Sequence, residues 1–220
     1  DMTTGGRLIF SVNQVGGVLK DMDEDMLSAI RSTMKAMNEE LRPIAQTFLE
    51  DASVNARLRG LGHLDKEQAL LAGAVGPMLR ASGIDYDARE TGYAAYDELN
   101  FGPITAVEGD SYARVKVRIA ELFQSFELIE EIISKIPQGE LSVPVKGMPK
   151  GEAFIRIEQP RGEAIYYTKG NGTKFLDRFR LRTPTTSNIP PMLDLLKGCQ
   201  LGDVALLILT IDPCISCTER

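Results

Sequence analysis

One stretch dictates much of what this chain can fold into. Tyr112, Val115, Ile119, Leu122, Phe126, Ile129, Ile133 and Ile136 recur at alternating three- and four-residue steps. An α-helix turns every 3.6 residues, so this pattern lines one face of a long helix with a coiled-coil-like seam. Gly109-Asp110-Ser111 supplies its cap, and Pro137-Gln138-Gly139 ends it. A second stripe, Leu27, Ile30, Met34, Met37, Leu41, Ile44 and Phe48, predicts another long helix ending near Leu49. Asp21-Met22-Asp23-Glu24 has capping-box spacing for its start, and Pro43 is expected to kink or interrupt it.

The remaining segments are shorter. Arg7 to Ser11 reads as a strand and Glu50 to Gly62 as a polar stretch. Asp65 and Gln68 form a cap for a helix from Lys66 to about Ala81, weakened by Gly73, Gly76 and Pro77, which imply close packing on a neighbour. Residues 84–107 exceed ordinary loop length and are expected to be a packed functional loop, with Arg80, Ser82, Asp85, Asp87 and Arg89 as a structural charge cluster. Residues 152–183 change character. Ala153–Glu158 and Glu163–Thr168 read as strands, Lys169-Gly170-Asn171-Gly172 as a hairpin turn and Phe175–Arg182 as a third strand. Asn188-Ile189-Pro190-Pro191 opens a helix to about Lys197, with Met192, Leu193, Leu195 and Leu196 inward. Val204–Ile211 fits either a buried strand or a short helix capped by Asp203. The expected class is α+β, mainly α: one domain over residues 1–220, a long-helix bundle with a small inserted antiparallel sheet at 152–183.

Composition limits the functions. The 220 residues carry a net charge of −6 with no Lys/Arg block, which argues against nucleic acid as the main partner. The longest apolar run, Val204–Leu209, falls far short of the roughly 20 residues of a membrane span. Any membrane association is therefore expected to come through partner subunits. Three cysteines do not make a disulfide scaffold and fit a reducing, cytoplasmic setting. The start at Asp1-Met2-Thr3 shows no signal peptide and reads as a chain entered partway.

Chemistry concentrates at the end of the chain. Cys214 and Cys217 form a C-x-x-C pair after Asp212-Pro213 and an apolar run. Such thiolates bind soft or borderline metals, exchange a disulfide, or stay inert. Cys199 and His63 lack sensible spacing to complete a four-ligand site and read as structural residues. Arg161, between Pro160 and Gly162, is either a surface-turn arginine or a guanidinium aimed into a site by a broken strand. Asp212 is either a turn residue or a buried carboxylate needing a cationic partner, for which Arg161 is a candidate.

The whole segment Asp212-Pro213-Cys214-Ile215-Ser216-Cys217-Thr218-Glu219-Arg220 resembles the C-terminal D-P-C-x-x-C-x-x-H/R signature of [NiFe] hydrogenase large, catalytic subunits. Arginine in the last position resembles the membrane-bound, energy-converting (Ech-like) group. Residues 76–84 with Asp87 and Arg89, and residues 109–114, are similar to segments shared by this group and the homologous quinone-site subunit of respiratory complex I. Glu158-Gln159-Pro160-Arg161-Gly162 resembles the E-x-P-R-G segment of both.

The resemblance implies a Ni-Fe centre carrying CO and cyanide, held by four cysteines, one C-x-x-C near each end of the subunit. Cys214 would be a terminal nickel ligand and proton-relay candidate, and Cys217 a bridging ligand. Arg161 would overhang the open coordination position, with Pro160 and Asp212 beside it. The implied activity is reversible H2 oxidation and proton reduction. The implied partners are a small subunit with an iron-sulfur cluster, membrane subunits, and ferredoxin as an indirect electron partner. No other C-x-x-C exists in the chain, and the family's proton-relay glutamate beyond that pair is missing too. The chain therefore reads as a C-terminal portion that should not assemble the full centre alone. Its end at Arg220 fits either a processed subunit or one made without an extension. The alternatives are a metal-free, complex I-like coupling subunit around a quinone site, and a zinc- or disulfide-forming C-x-x-C module.

Overall fold

The computed structural model describes residues 3–5 and 12–219. The strand expected at Arg7–Ser11 lies outside the described residues. Two short strands, β1 (Asn13–Gln14) and β2 (Gly17–Val18), pair antiparallel before the first helix. The Asp23 carboxylate accepts the Met26 N–H at 2.8 Å and opens α1, Glu24–Glu50. This helix continues through Pro43 without interruption, contrary to a break there. Asp51 closes α1 and caps α2, Ala52–Leu58, by accepting the N–H groups of Ser53 and Val54. The stretch read as merely polar is thus a two-turn helix, too short to display a period.

The Asp65 cap is present, accepting the Gln68 N–H at 2.8 Å. The helix it opens, α3 (Lys66–Leu71), is cut short. Gly73 and Gly76 adopt left-handed φ of 68° and 65°, and the chain restarts as α4, Pro77–Arg80. Residues 84–107 contain two 3-10 turns, Ala88–Thr91 and Tyr96–Glu98, and bury Asp87, Ala88 and Ala106. Asp110 then caps α5, Ser111–Lys135, through the Ala113 N–H.

Helices α1 and α5 run antiparallel. Arg31 pairs with Glu130 at one end, and the Tyr112 hydroxyl donates to the Leu49 carbonyl at the other. Leu27, Ile30 and Ile133 form the buried cluster at the Arg31–Glu130 end of the seam, with Met34 and Ile129 against them. The seam is covered only in part, since Met37, Ile44, Phe48 and Leu122 remain exposed. The first half of α5 also buries a second face. Ala113 and Val117 pack with Ala81 and Ala106, and Arg114 is fully enclosed.

The late segment is a three-stranded antiparallel sheet: β3 (Lys150–Gln159), β4 (Gly162–Asn171) and β5 (Leu176–Arg182), in that spatial order. Gln159 pairs with Gly162, so Pro160-Arg161 is the tip of a hairpin. Helix α6, Pro184–Leu196, starts four residues before the expected point and carries Pro190 and Pro191 inside it. Met192, Leu195 and Leu196 pack on the core, whereas Leu193 faces outward. The ambiguous Val204–Ile211 lies in a helix, α7 (Leu201–Ile211), preceded by Gln200 as its cap, with Asp203 in the first turn. Leu207 and Ile211 join Leu64, Met78 and Leu79 in a central core. A one-turn helix, α8 (Ile215–Thr218), follows.

The hairpin tip meets α4 backbone to backbone. A Cβ on Gly76 would sit 2.3 Å from Gly162 Cα and 2.6 Å from the Arg161 carbonyl oxygen. Gly76→Ala should therefore cost more than backbone strain alone. Gly60, at φ 73° with open space around it, supplies the control. Gly60→Ala should cost about 1 kcal/mol, and Gly76→Ala clearly more, in denaturant unfolding. Equal costs would mean that the close approach is unimportant.

Candidate functional site

Helix α7 ends because Asp212 turns left-handed, at φ 57° and ψ 60°, and Pro213 cannot extend a helix. A non-glycine residue in that conformation costs roughly 1 kcal/mol, least for Asp and Asn. Two guanidiniums hold it there. Arg161 donates from Nε to the Asp212 carbonyl at 2.7 Å and from Nη2 to its carboxylate at 3.2 Å. Arg118 of α5 donates to the Ile211 carbonyl at 2.7 Å and reaches the Asp212 carboxylate at 3.4 Å. Both charges sit at the negative end of the α7 dipole, where cations are favoured. Burial pulls the Arg118 pKa down, and Asp212 opposes that fall.

Beyond Pro213 the chain turns into α8 with Cys214 as its N-cap and Cys217 one turn on. Cys214 and Cys217 are three residues apart, the spacing at which helical side chains share a side. No disulfide joins them. The Cys214 thiol lies 3.1 Å from the Ser216 hydroxyl. Hydrogen bonds from Ser216 and Cys217 pull its pKa down to about 7, with a smaller pull from the Arg161 charge.

Sequence reasoning misses what holds these pieces in place: the first turns of α6. The Thr185 hydroxyl accepts the Cys214 N–H at 3.1 Å, and the Thr183 hydroxyl donates to the Cys217 carbonyl at 2.9 Å. Asn188 is 1% exposed. Its side chain accepts the Val75 N–H at 2.9 Å and donates to the carbonyls of Val75 (3.2 Å) and Arg161 (3.4 Å). One helix end thus registers both the thiolate pair and the hairpin tip. The available signal is Thr-Pro-Thr-Thr-Ser-Asn ahead of the diproline, which a helix start placed at Asn188 overlooks.

Pro160 and Asp212 line a cleft of ≈ 500 Å³ whose far wall is charged. There Arg80 contacts Asp87 at 2.9 Å, Glu121 at 2.8 Å and Glu158 at 2.9 Å, and Arg89 contacts Asp87 at 2.6 Å. The expected cluster therefore forms from Arg80, Asp87 and Arg89. Asp85 is exposed, and Ser82 donates instead to the Leu64 carbonyl. Glu121 and Glu158 join from distant elements. Burial works against charge on Asp87, but Arg89 and Arg80 outweigh it and hold it below the usual carboxylate range. For Glu158 burial dominates and pushes the pKa up to about 7, against the pull of Arg80.

The donor set bears on a metal. Among the described residues, no group of three or more His, Cys, Asp or Glu side chains gathers to hold an ion. Cys199 and His63 accordingly do not complete the pair. Two thiolates on one turn fit half of a four-thiolate site.

Asn188→Ala would leave the buried Val75 N–H and carbonyl, and the partly buried Arg161 carbonyl, without this partner. It should cost about 1–3 kcal/mol in unfolding and raise hydrogen exchange at Val75. A loss below about 0.5 kcal/mol, with exchange unchanged, would remove Asn188 from the role described.

The family described as "Respiratory-chain NADH dehydrogenase, 49 Kd subunit" matches residues 1–147 and 143–220. The chain is 36% identical to the carbon monoxide-induced hydrogenase of Rhodospirillum rubrum, over 98% of this chain and 61% of that protein. It is 34% identical to the membrane-bound hydrogenase subunit alpha of Pyrococcus furiosus, over 100% and 56%. It is 32% identical to an NADH-quinone oxidoreductase subunit of Herpetosiphon aurantiacus, over 96% and 60%. Among solved structures, a chain of the membrane-bound sulfane sulfur reductase, an archaeal respiratory membrane complex, superposes with a TM-score of 0.93 at 31% identity, covering 100% of this chain and 62% of that one. The chain thus spans about three-fifths of the length of these relatives. It belongs to the family of the 49 kDa subunit of respiratory-chain NADH dehydrogenase, which includes subunits of membrane-bound hydrogenases.

Proposed function

We propose that this chain is part of the catalytic subunit of a membrane-bound [NiFe] hydrogenase. The observation that carries the reading is the C-x-x-C turn beside Arg161 and Asp212. Two soft sulfur ligands lie on one helical turn, with the Cys214 pKa lowered by hydrogen bonds from Ser216 and Cys217 and, to a smaller degree, by the Arg161 charge. The 36% and 34% identities to two hydrogenases support it. Cys214 and Cys217 would hold the nickel side of a Ni-Fe centre bearing CO and cyanide, with two further thiolates from outside this sequence. When bound, that centre supplies an open soft-metal position at which H2 is split heterolytically or formed.

This chain's own residues do the rest. The Cys214 thiolate is a base that accepts or returns a proton. Arg161 is held by Asp212 and keeps a fixed positive charge near the thiolates. Pro160 stiffens the hairpin tip and removes an N–H that would otherwise need a partner. Electrons would pass to and from an iron-sulfur small subunit, with ferredoxin as the external carrier and membrane subunits as anchors. Among the described residues, no helix is long and apolar enough to cross a membrane, in keeping with peripheral attachment.

A second reading, reduction of sulfane sulfur, is favoured by the sulfane sulfur reductase match. The two differ in what the purified full-length complex does. Under the hydrogenase reading it contains nickel and iron near one each and exchanges H2 with the deuterons of D2O. Cys214→Ser should abolish exchange and nickel binding together. Arg161→Lys should keep nickel and lower the rate about a hundredfold, because a lysine ammonium cannot reproduce the two-point contact with Asp212. Reduction of sulfane sulfur without nickel would support the second reading. Exchange retained in Cys214→Ser would remove that residue as a ligand.

A further inference from the structure

The buried charges around Arg80 do not balance locally. Three carboxylates, Asp87, Glu121 and Glu158, surround two guanidiniums, Arg80 and Arg89. Side-chain exposures are 0% for Asp87, 3% for Glu158 and 13% for Glu121. Arg118, on the same cleft, is engaged by Asp212 and by the last carbonyls of α7. Arg161 is likewise taken up by Asp212. The positive excess therefore sits at the Asp212 end of the cleft and the negative excess at the Arg80 end. An uncompensated buried carboxylate is costly, and taking up one proton is the easiest way to remove that cost.

The three carboxylates are not equal candidates for that proton. Asp87 is gripped at both oxygens by Arg89, at 2.9 and 2.6 Å. Glu121 lies at the more exposed rim and holds Arg80 Nε. Glu158 shares Arg80 Nη1 with Asp87, and its second oxygen has only a long 3.3 Å contact to the Ala88 N–H. Tyr93 occupies the Glu158 peptide, with its hydroxyl accepting the Glu158 N–H at 2.9 Å, and leaves the carboxyl untouched. Glu163, its register partner on β4, is engaged elsewhere, by Tyr86, Arg156 and Arg182.

We propose that Glu158 is a proton-carrying group of the cleft, holding one proton in the Arg80 cluster and exchanging it through cleft water with the end of the cleft lined by Asp212. The elevated pKa, about 7, agrees with this. The cleft volume of ≈ 500 Å³ admits several waters at about 30 Å³ each. In proton reduction the Glu158 carboxylic acid gives its proton to cleft water, becomes carboxylate, and is reprotonated from solvent. In H2 oxidation the same steps run in reverse. No electron passes through it. The direction of this traffic rests on the hydrogenase reading, whereas the neutral-pH proton on Glu158 does not.

The test uses the full-length complex with Glu158→Gln, which keeps the side-chain length and an acceptor for Arg80, and Glu158→Asp, which keeps the acid. Infrared pH titration should reveal a protonated carboxyl stretch that disappears as pH rises through about 7 in the wild type and is missing in Glu158→Gln. At unchanged nickel content, Glu158→Gln should slow H2/D2O exchange at least about tenfold and flatten its neutral-pH dependence, while Glu158→Asp recovers part of the rate. Absence of the titrating band in the wild type would overturn the proposal. So would full exchange in Glu158→Gln with an unaltered pH profile. A wild-type complex with the band but without H2 chemistry would sink the hydrogenase reading and leave the proton on Glu158 standing.

Discussion

The contact of Arg161 with Asp212 is the constraint on which the rest of the site depends. As a half-exposed ion pair it is worth little energy, about 0–1 kcal/mol. Its value is positional, because it ties the hairpin tip to the left-handed end of α7. The firmness comes from backbone packing behind it. Gly76 and Gly162 approach so closely that neither tolerates a Cβ, and Asn188 pins Val75 and the Arg161 carbonyl together. Without those contacts the arginine would be the mobile surface side chain that its sequence context equally allows.

Two buried arginines show how the same side chain serves different ends. Arg114 is fully enclosed and donates only to neutral acceptors: the carbonyls of Gly62 and Gly109 and the hydroxyls of Ser111 and Thr210. Burial dominates there and draws its pKa down to about 10. It pins α5 and α7 to the α2–α3 loop at Gly62 and to the segment that leads into α5 at Gly109. Arg80, almost equally buried, faces three carboxylates. They outweigh the burial penalty and raise its pKa. The first arrangement gives rigidity. The second gathers titratable groups along a cleft, and paired carboxylates and guanidiniums in a cleft are what proton chemistry needs.

The long helices were legible because their apolar stripes span many turns, and the caps Asp65 and Asp110 because capping has a fixed spacing. The three strands were legible from alternation, but Pro160-Arg161, read as a strand break, is a hairpin tip, and Lys169-Gly170-Asn171, read as part of a turn, continue β4. What escaped the sequence was short or non-local. Helix α2 has too few residues for a period, and the second buried face of α5 depends on what packs there. The weak point between α3 and α4 was signalled by Gly73, Gly76 and Pro77, and the close packing they imply is met at Gly76, although the sequence did not name the hairpin tip as the neighbour. The Arg161–Asp212 pairing was readable as a candidate, since each residue needed a partner. The roles of Thr183, Thr185 and Asn188 were not, because small polar residues beside prolines look the same in an ordinary turn. Glu121 lay on a helix face with no mark to distinguish it from a solvated glutamate.

The thiolate pair stands apart from the buried clusters. Backbone hydrogen bonds to α6 fix it, yet Leu201, Leu209 and Ile215 on α7 and α8 are 90%, 71% and 74% exposed. An apolar surface of that kind is unusual unless something covers it. Under the hydrogenase reading, the further thiolates that complete a four-cysteine site would come with whatever docks beside the Cys214–Cys217 turn. Metal binding would then be linked thermodynamically to docking, since each supplies part of the free energy of the other. Under the hydrogenase reading, the preformed turn would lower the ordering cost of two ligands out of four. It also means that affinity measured on these residues alone would understate that of the assembled site, because the contribution of docking would be missing.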